Sequence, residues 1–228
     1  MSALPILYSF RRCPYAMRAR MALIVAGIQC ELREVLLSDK PQAMLEVSPK
    51  ATVPVLLFPD GTVIDESLEI MLWSLSQLDS RAWLHPDAGN LDMMLALITR
   101  NDEKFKGHLD RYKYPNRYED EQPDPLQHRA SACAFLAELE NLLQANDFLY
   151  GTAPSLADIA IFPFVRQFAA VEPDWFKSLD SPRLHAWLTG WLNATLFASA
   201  MHTYALWQDG NEPVYLIEIT QRNTVARP

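Results

Sequence analysis

The rhythm of apolar and polar positions changes once along this chain. Up to about residue 79, short β-like runs alternate with short helical ones. Residues 5–10 read as a strand, 14–26 as a helix closed by Gly27, and 30–36 as an alternating strand. A short helix is expected over 40–47, strands over 55–58 and 62–64 around the Asp60-Gly61 turn, and a helix over 66–78. The order is β-α-β followed by β-β-α. Beyond Pro86 and Gly89 the apolar spacing is helical throughout. Leu91, Leu95, Ile98, Phe105, Leu109 and Tyr112 form one stripe, and residues 126–143 form another that includes Cys133, Leu136, Ala137 and Leu143. Pro123 and Pro125 break the chain between them, and Asp124 or Pro125 opens the second helix.

Further on, Ser155-Leu156-Ala157-Asp158 has the form of a capping box, and the apolar Ile159, Ile161, Phe162 and Val165 after it predict a helix buried on most sides. Ser181-Pro182 opens a helix through Leu192. Residues 214–219 read either as a strand or extended arm, or as a loosely packed tail. The pattern therefore divides the chain into an α/β domain (1–79), a linker (80–90), an all-helical domain (91–207) and a tail (208–228).

At 228 residues, half of them hydrophobic, the chain can bury a sizeable core. A net charge of -8 and a pI near 5.1 argue against nucleic acid or an anionic membrane as partner. No run approaches the ~20 apolar residues of a membrane span. Three irregularly spaced cysteines suit a reducing compartment, so a cytoplasmic protein is expected. The five histidines lack ligand spacing, so no metal is expected.

Candidate chemistry gathers first at Arg12-Cys13-Pro14-Tyr15-Ala16, between the first strand and first helix. A helix N-terminus offers unpaired N–H groups and the positive end of the dipole, both of which favour thiolate. Arg11 and Arg12 add positive charge, and Pro14 suits the first helical turn. Such surroundings lower a thiol pKa from ~8.5 to ~3.5–7.5. Cys30 and Cys133 instead fit buried, inert thiols on a strand and a helix stripe. A second signal is Val53-Pro54 before an apolar strand, followed by Glu66-Ser67 at a helix start. The helix N–H groups and the Ser67 hydroxyl suit a carboxylate, and Glu66 suits an ammonium; together they match an amino-acid head group.

The motif around Cys13 resembles the Cys-Pro-Tyr-Cys of glutaredoxins with Ala16 in place of the second cysteine. The order of thiol junction, Val-Pro turn, Glu-Ser helix start, helical half and Ser-x-x-Asp box resembles the cytosolic glutathione transferases over roughly residues 5–207. A cysteine in place of tyrosine or serine points to the omega class and its bacterial relatives, although that class has phenylalanine where Tyr15 stands.

This resemblance implies a thioredoxin-like N-terminal domain that binds glutathione and an all-helical C-terminal domain that receives the acceptor. It implies a mixed disulfide at Cys13, backbone pairing of Val53 before a cis Pro54, the γ-glutamyl head on Glu66 and Ser67, and the glycine carboxylate near Lys40. It also implies a homodimer; Asp102, a carboxylate within the first stripe, either pairs with a nearby arginine or reaches the partner's glutathione. Tyr15, Arg111, Tyr112 and Tyr114 are acceptor-site candidates, since tyrosines stack on small molecules and arginine attracts acids. The acceptor, a small molecule or a protein thiol or disulfide, is not specified. Thiol transfer is the expected activity, with glutathione conjugation and non-catalytic binding on the same fold as alternatives.

Overall fold

The computed structural model describes residues 3–216, which form two compact units. One comprises the chain up to Arg81 together with the segment that begins at Ala194; the other is Ala82–Asn193.

In the first unit β1 (Ile6–Ser9), β2 (Glu31–Glu34), β3 (Val55–Leu57) and β4 (Val63–Ile64) make a sheet in the order β2-β1-β3-β4. β1 runs parallel to β2 and antiparallel to β3, and β3 runs antiparallel to β4. Alternation along the strands sends successive side chains to opposite faces. Leu7, Leu32 and Leu56 pack with Ala19 and Leu23 of α1 (Pro14–Val25) and with Ile70, whereas Tyr8 and Val55 pack with Met44 of α2 (Gln42–Val47). Ile70 belongs to α3 (Ser67–Gln77). α1 ends where Gly27 takes φ +65, a left-handed conformation that favours glycine.

The second unit is helical. It contains α4 (Leu91–Arg100), a π-helical turn (Asn101–Phe105), α5 (Lys106–Lys113), α6 (Pro125–Ala145), α7 (Leu156–Ala169), α8 (Pro173–Lys177) and α9 (Pro182–Leu192). The first apolar stripe spans α4, the π turn and α5. There Asp102 accepts from the Asn101 side-chain amide at 2.8 Å. Asp124 caps α6 by accepting from Leu126 N–H, as its position before Pro125 predicts. The buried face of α6 is Ala132, Phe135, Leu136, Leu139, Glu140 and Leu143; of the expected stripe Leu136 and Leu143 lie on it, whereas Ala137 is exposed and Cys133 only partly buried.

The Ser155–Asp158 capping box is formed in full. Asp158 accepts from Ser155 N and Oγ, and also from Leu149 N at 3.0 Å and Trp187 Nε1 at 2.8 Å.

The structure groups the last helix differently from the sequence pattern. α10 (Thr195–Ala200) lies within the stretch expected to be part of the helical half, yet it packs on α1 in the first unit. The segment after it runs along β2. Trp207 N–H donates to the Glu34 carbonyl, Leu32 N–H to Val214, and Leu216 N–H to Cys30. Leu216 is buried against the Leu7–Leu32 face. Residues 214–216 are thus the extended arm among the two expectations; residues 217–219 lie outside the described residues. The physical reason is that β2 is an edge strand, whose open N–H and C=O groups accept a further backbone. No helix among the described residues is long and apolar enough to cross a membrane.

Candidate functional site

Cys13 occupies the N-cap position of α1 with extended backbone (φ -74, ψ 123), and Pro14 follows as the first helical residue. The turn that delivers it is closed by a hydrogen bond from Cys13 N–H to the Phe10 carbonyl at 3.0 Å. Sγ lies 3.6 Å from the carbonyl oxygen of Val53, and the Val53–Pro54 peptide is cis. Strand β1 and the segment before β3, 40 residues apart in sequence, therefore bring the thiol and the Val53 backbone together.

Glu66 is the N-cap of α3 and is exposed; Ser67 opens the helix and is buried. The Ser67 hydroxyl accepts from Arg18 Nε at 3.0 Å, a bond between buried groups of α3 and α1. Arg18 also lies over the Tyr15 ring, 5.0 Å from its centroid. Lys50 donates to Asp65 at 3.1 Å and to Glu66, and Ser48 Oγ donates to Asp65 at 2.9 Å. Hydrogen bonds to Glu66 and Asp65 hold the Lys50 ammonium above its ordinary range. Burial pushes the Asp65 carboxyl up, but its bonds from Ser48 and Lys50 outweigh this and leave it low. Lys40 is partly exposed between the Leu36–Asp39 bridge and α2.

Arg18 and Lys50 were not among the residues singled out by sequence. Arg18 had a usable signal, since it lies five residues after Cys13 on a helix otherwise almost wholly apolar. Lys50, three residues before Val53, had none.

Of the acceptor candidates, Tyr15 lies in the first unit with Cys13, and Arg111, Tyr112 and Tyr114 lie in the helical unit. Arg111 makes a two-pronged bond to Glu121 at 2.6 and 2.8 Å and covers the Tyr118 ring. Its bond to Glu121 raises the guanidinium pKa. Tyr112 is buried with its ring against Phe168, and burial raises its hydroxyl pKa. Tyr114 is covered by Arg117, 4.1 Å from the ring centroid. These cations thus already have partners within their own unit.

The other thiols differ in kind. Cys30 is fully buried, and desolvation pushes its pKa up to about 12. Cys133 donates to the Arg129 carbonyl at 3.3 Å, and burial raises it as well. All three cysteines are free. Two histidines that sequence spacing left apart face each other, His108 and His128 with Nδ1 atoms 2.9 Å apart. Among the described residues no three His, Cys, Asp or Glu side chains gather as a metal-binding group.

The fold agrees with comparison to known proteins. Residues 7–82 match the family model "Glutathione S-transferase, N-terminal domain", and residues 98–190 match "Glutathione S-transferase, C-terminal domain". The chain belongs to the glutathione transferase family. The mouse glutathione S-transferase omega-1 is 27% identical over 181 residues, 79% of this chain and 73% of that protein. A glutathione transferase family member from Pseudomonas fluorescens, solved with two glutathione bound, superposes with a TM-score of 0.74 at 17% identity, over 87% of this chain and 92% of that one. Glutathione transferase Omega 3C from Trametes versicolor gives 0.72 at 18% identity, over 90% of this chain and 91% of that one. The thioredoxin-like plus helical architecture of this transferase follows from these likenesses.

Proposed function

We propose that this transferase is a glutathione-dependent thiol transferase of omega-like type, acting through a mixed disulfide between Cys13 and glutathione. The observation that carries this reading is a single partly exposed thiol at a helix N-terminus, beside the Val53 backbone, with Ala16 where a resolving cysteine would stand. A lone thiol cannot close an internal disulfide. It forms one with its substrate and needs a second thiol to release it.

The Cys13 thiolate attacks the glutathione sulfur of a glutathionylated substrate, the S–S bond breaks, and the substrate leaves as a thiolate that takes up a proton. A second glutathione, as thiolate, attacks the Cys13 mixed disulfide, glutathione disulfide departs, and Cys13 returns as thiolate. Val53, ahead of Pro54, would pair with the cysteinyl backbone of glutathione, and Lys40 would meet its glycine carboxylate. The N–H groups of α3 and the Ser67 hydroxyl would take the γ-glutamyl carboxylate, and Glu66 its ammonium. Because Lys50 holds Glu66 in the ligand-free protein, the ligand ammonium has to share or displace that partner. Tyr15, Arg111, Tyr112 and Tyr114 remain the candidates on the acceptor side. We place the protein in the cytoplasm, in line with its cysteine usage, and as a homodimer, as the resemblance implies, with Asp102 the candidate to reach a partner's glutathione; light scattering at micromolar concentration tests the dimer.

The deciding experiment compares Cys13→Ala and Cys13→Ser with wild type on a glutathione mixed disulfide and on an aryl halide. Both variants are expected to lose disulfide reduction, since neither can form the covalent intermediate. Cys13→Ser is expected to keep or gain conjugation, because a serine hydroxyl donates to a glutathione thiolate. Loss of both activities in Cys13→Ser, with efficient conjugation by wild type, would assign the protein to conjugation instead.

A further inference from the structure

Arg20 is fully buried on α1 and lies outside the glutathione-site residues. Its Nη2 donates to the Arg11 carbonyl at 2.7 Å, while its Nη1 stands 3.7 Å from Glu34 Oε2. The other Glu34 oxygen accepts from Arg11 N–H at 2.6 Å. The two ends of one ion pair thus grip the N–H and the C=O of a single residue, two places before Cys13. Arg20 Nε and Nη1 and Glu34 Oε2 are buried without a hydrogen-bond partner. A buried ion pair with unmet hydrogen-bonding capacity returns less than its desolvation costs, so stability does not account for it.

Its position does. The gripped residue lies within the turn, closed by the Cys13 N–H to Phe10 bond, that sets where Sγ points. The charged and titratable groups that face Arg20 are Glu34 from β2, Tyr204 from the C-terminal segment, and Arg11 and Cys13 from the turn. Burial pulls the Arg20 pKa down, and Glu34, Tyr204 and Cys13 hold the cation against it. Burial also pushes the Glu34 carboxyl up, opposed by Arg11 N–H and Arg20. The C-terminal segment closes this arrangement from outside, since Trp207 N–H donates to the Glu34 carbonyl.

We propose that Arg20 is a positioning residue for Cys13: through Arg11 it fixes the turn that carries the thiol, and its buried positive charge, offset by Glu34, favours the Cys13 thiolate. This rests on the reading of Cys13 as the reacting thiolate.

The test is the pH dependence of Cys13 alkylation by iodoacetamide, followed by peptide mass mapping in the absence of glutathione, for wild type, Arg20→Met, Glu34→Gln and the double variant. Arg20→Met should raise the alkylation midpoint by ~1 pH unit, the scale set by one nearby charge. Glu34→Gln keeps an acceptor for Arg11 N–H but removes the offsetting charge, so its midpoint should fall. The double variant should return towards wild type. A purely structural role would loosen the turn in both single variants and move both midpoints the same way, which would overturn the proposal, as would an unmoved midpoint in Arg20→Met.

Cys30, buried in the same unit, reports folding, because its labelling marks an unfolded sample. If Arg20→Met unfolds, Glu34→Gln carries the decision: a lowered midpoint supports the charge coupling, and an unchanged or raised one refutes it. Alkylation needs no glutathione. Opposite midpoint shifts without any disulfide reduction by wild type would therefore refute thiol transfer alone, and thiol transfer without those shifts would refute the role of Arg20 alone.

Discussion

Two buried charges separate the halves of this transferase. Asp158, in the helical unit, is fully enclosed and receives four hydrogen bonds, from Leu149 N, Ser155 N, Ser155 Oγ and Trp187 Nε1. Burial raises its pKa, and those bonds act against the rise. Arg20, in the α/β unit, is as deeply buried yet makes one hydrogen bond through Nη2, with Nε and Nη1 unmet. The first charge is spent on architecture, as it starts α7 and ties it to the preceding turn and to α9. The second is under-satisfied against the turn that carries Cys13. Buried polar groups are normally paired, so a buried guanidinium with two unmet nitrogens calls for an explanation.

The sharpest way to break this contrast is Asp158→Ala. It strands four donors in the core, so urea denaturation should show a loss of roughly 3–5 kcal/mol, with the Cys13 alkylation rate of the folded fraction unchanged. A change in that rate would mean that the two charges are not separate in role.

Next in size is alkaline stability. Cys30 has its folded pKa raised from 9.0 to about 12, so its contribution is complete below pH 9.0 and is lost as pH climbs towards 12, where the unfolded chain sheds the proton first. The stability slope in that window should reach ~1.4 kcal/mol per pH unit. Cys30→Ala should flatten it, as read by denaturation at stepped pH.

Ser67→Ala should act on both function and fold. It removes the acceptor of the buried Arg18 Nε, costing ~1–2 kcal/mol, and it should raise KM for glutathione severalfold while the Cys13 alkylation midpoint stays in place. An unchanged KM would remove Ser67 from the glutathione site.

The smallest effect is expected in the helical unit. Glu140 of α6 accepts from Arg183 N and Leu184 N at the start of α9. Glu140→Gln keeps one oxygen for the two N–H groups and drops the charge at a helix N-terminus, so its thermal unfolding should report a loss of about 1 kcal/mol. A loss approaching that of Asp158→Ala would show that the helical unit depends on a second buried charge besides Asp158.

Much of the site was legible because it is local. Cys13 and Pro14 are adjacent, so their place at a helix start follows from capping and from the fixed φ of proline. Glu66 and Ser67 are legible for the same reason. Arg18 and Arg20 could be seen to lie on α1 but not to reach Ser67 and Glu34, which are 49 and 14 residues further along. Lys50 gave no signal, since a lysine in a polar loop is ordinarily solvated, and only the approach of the Ser48–Lys50 loop to Asp65 and Glu66 gives it partners.

The chain's own periodicity was enough for the strand order, the longer helices, the Gly27 stop, the α6 and α7 caps and the candidate nucleophile, because each depends on neighbours within about one helical turn or one strand repeat, though not for the short α8 and α10. Three things needed the folded molecule: the pairing of residues 214–216 with β2, the inclusion of α10 in the α/β unit, and the grip of Arg20 and Glu34 on Arg11. The first and third rest on the register of β2 beside β1, the second on the packing of α10 against α1. A slip of one residue would turn Glu34 to the other face of the sheet, away from Arg20, and that register is set by long-range packing of Leu7, Leu32 and Leu56.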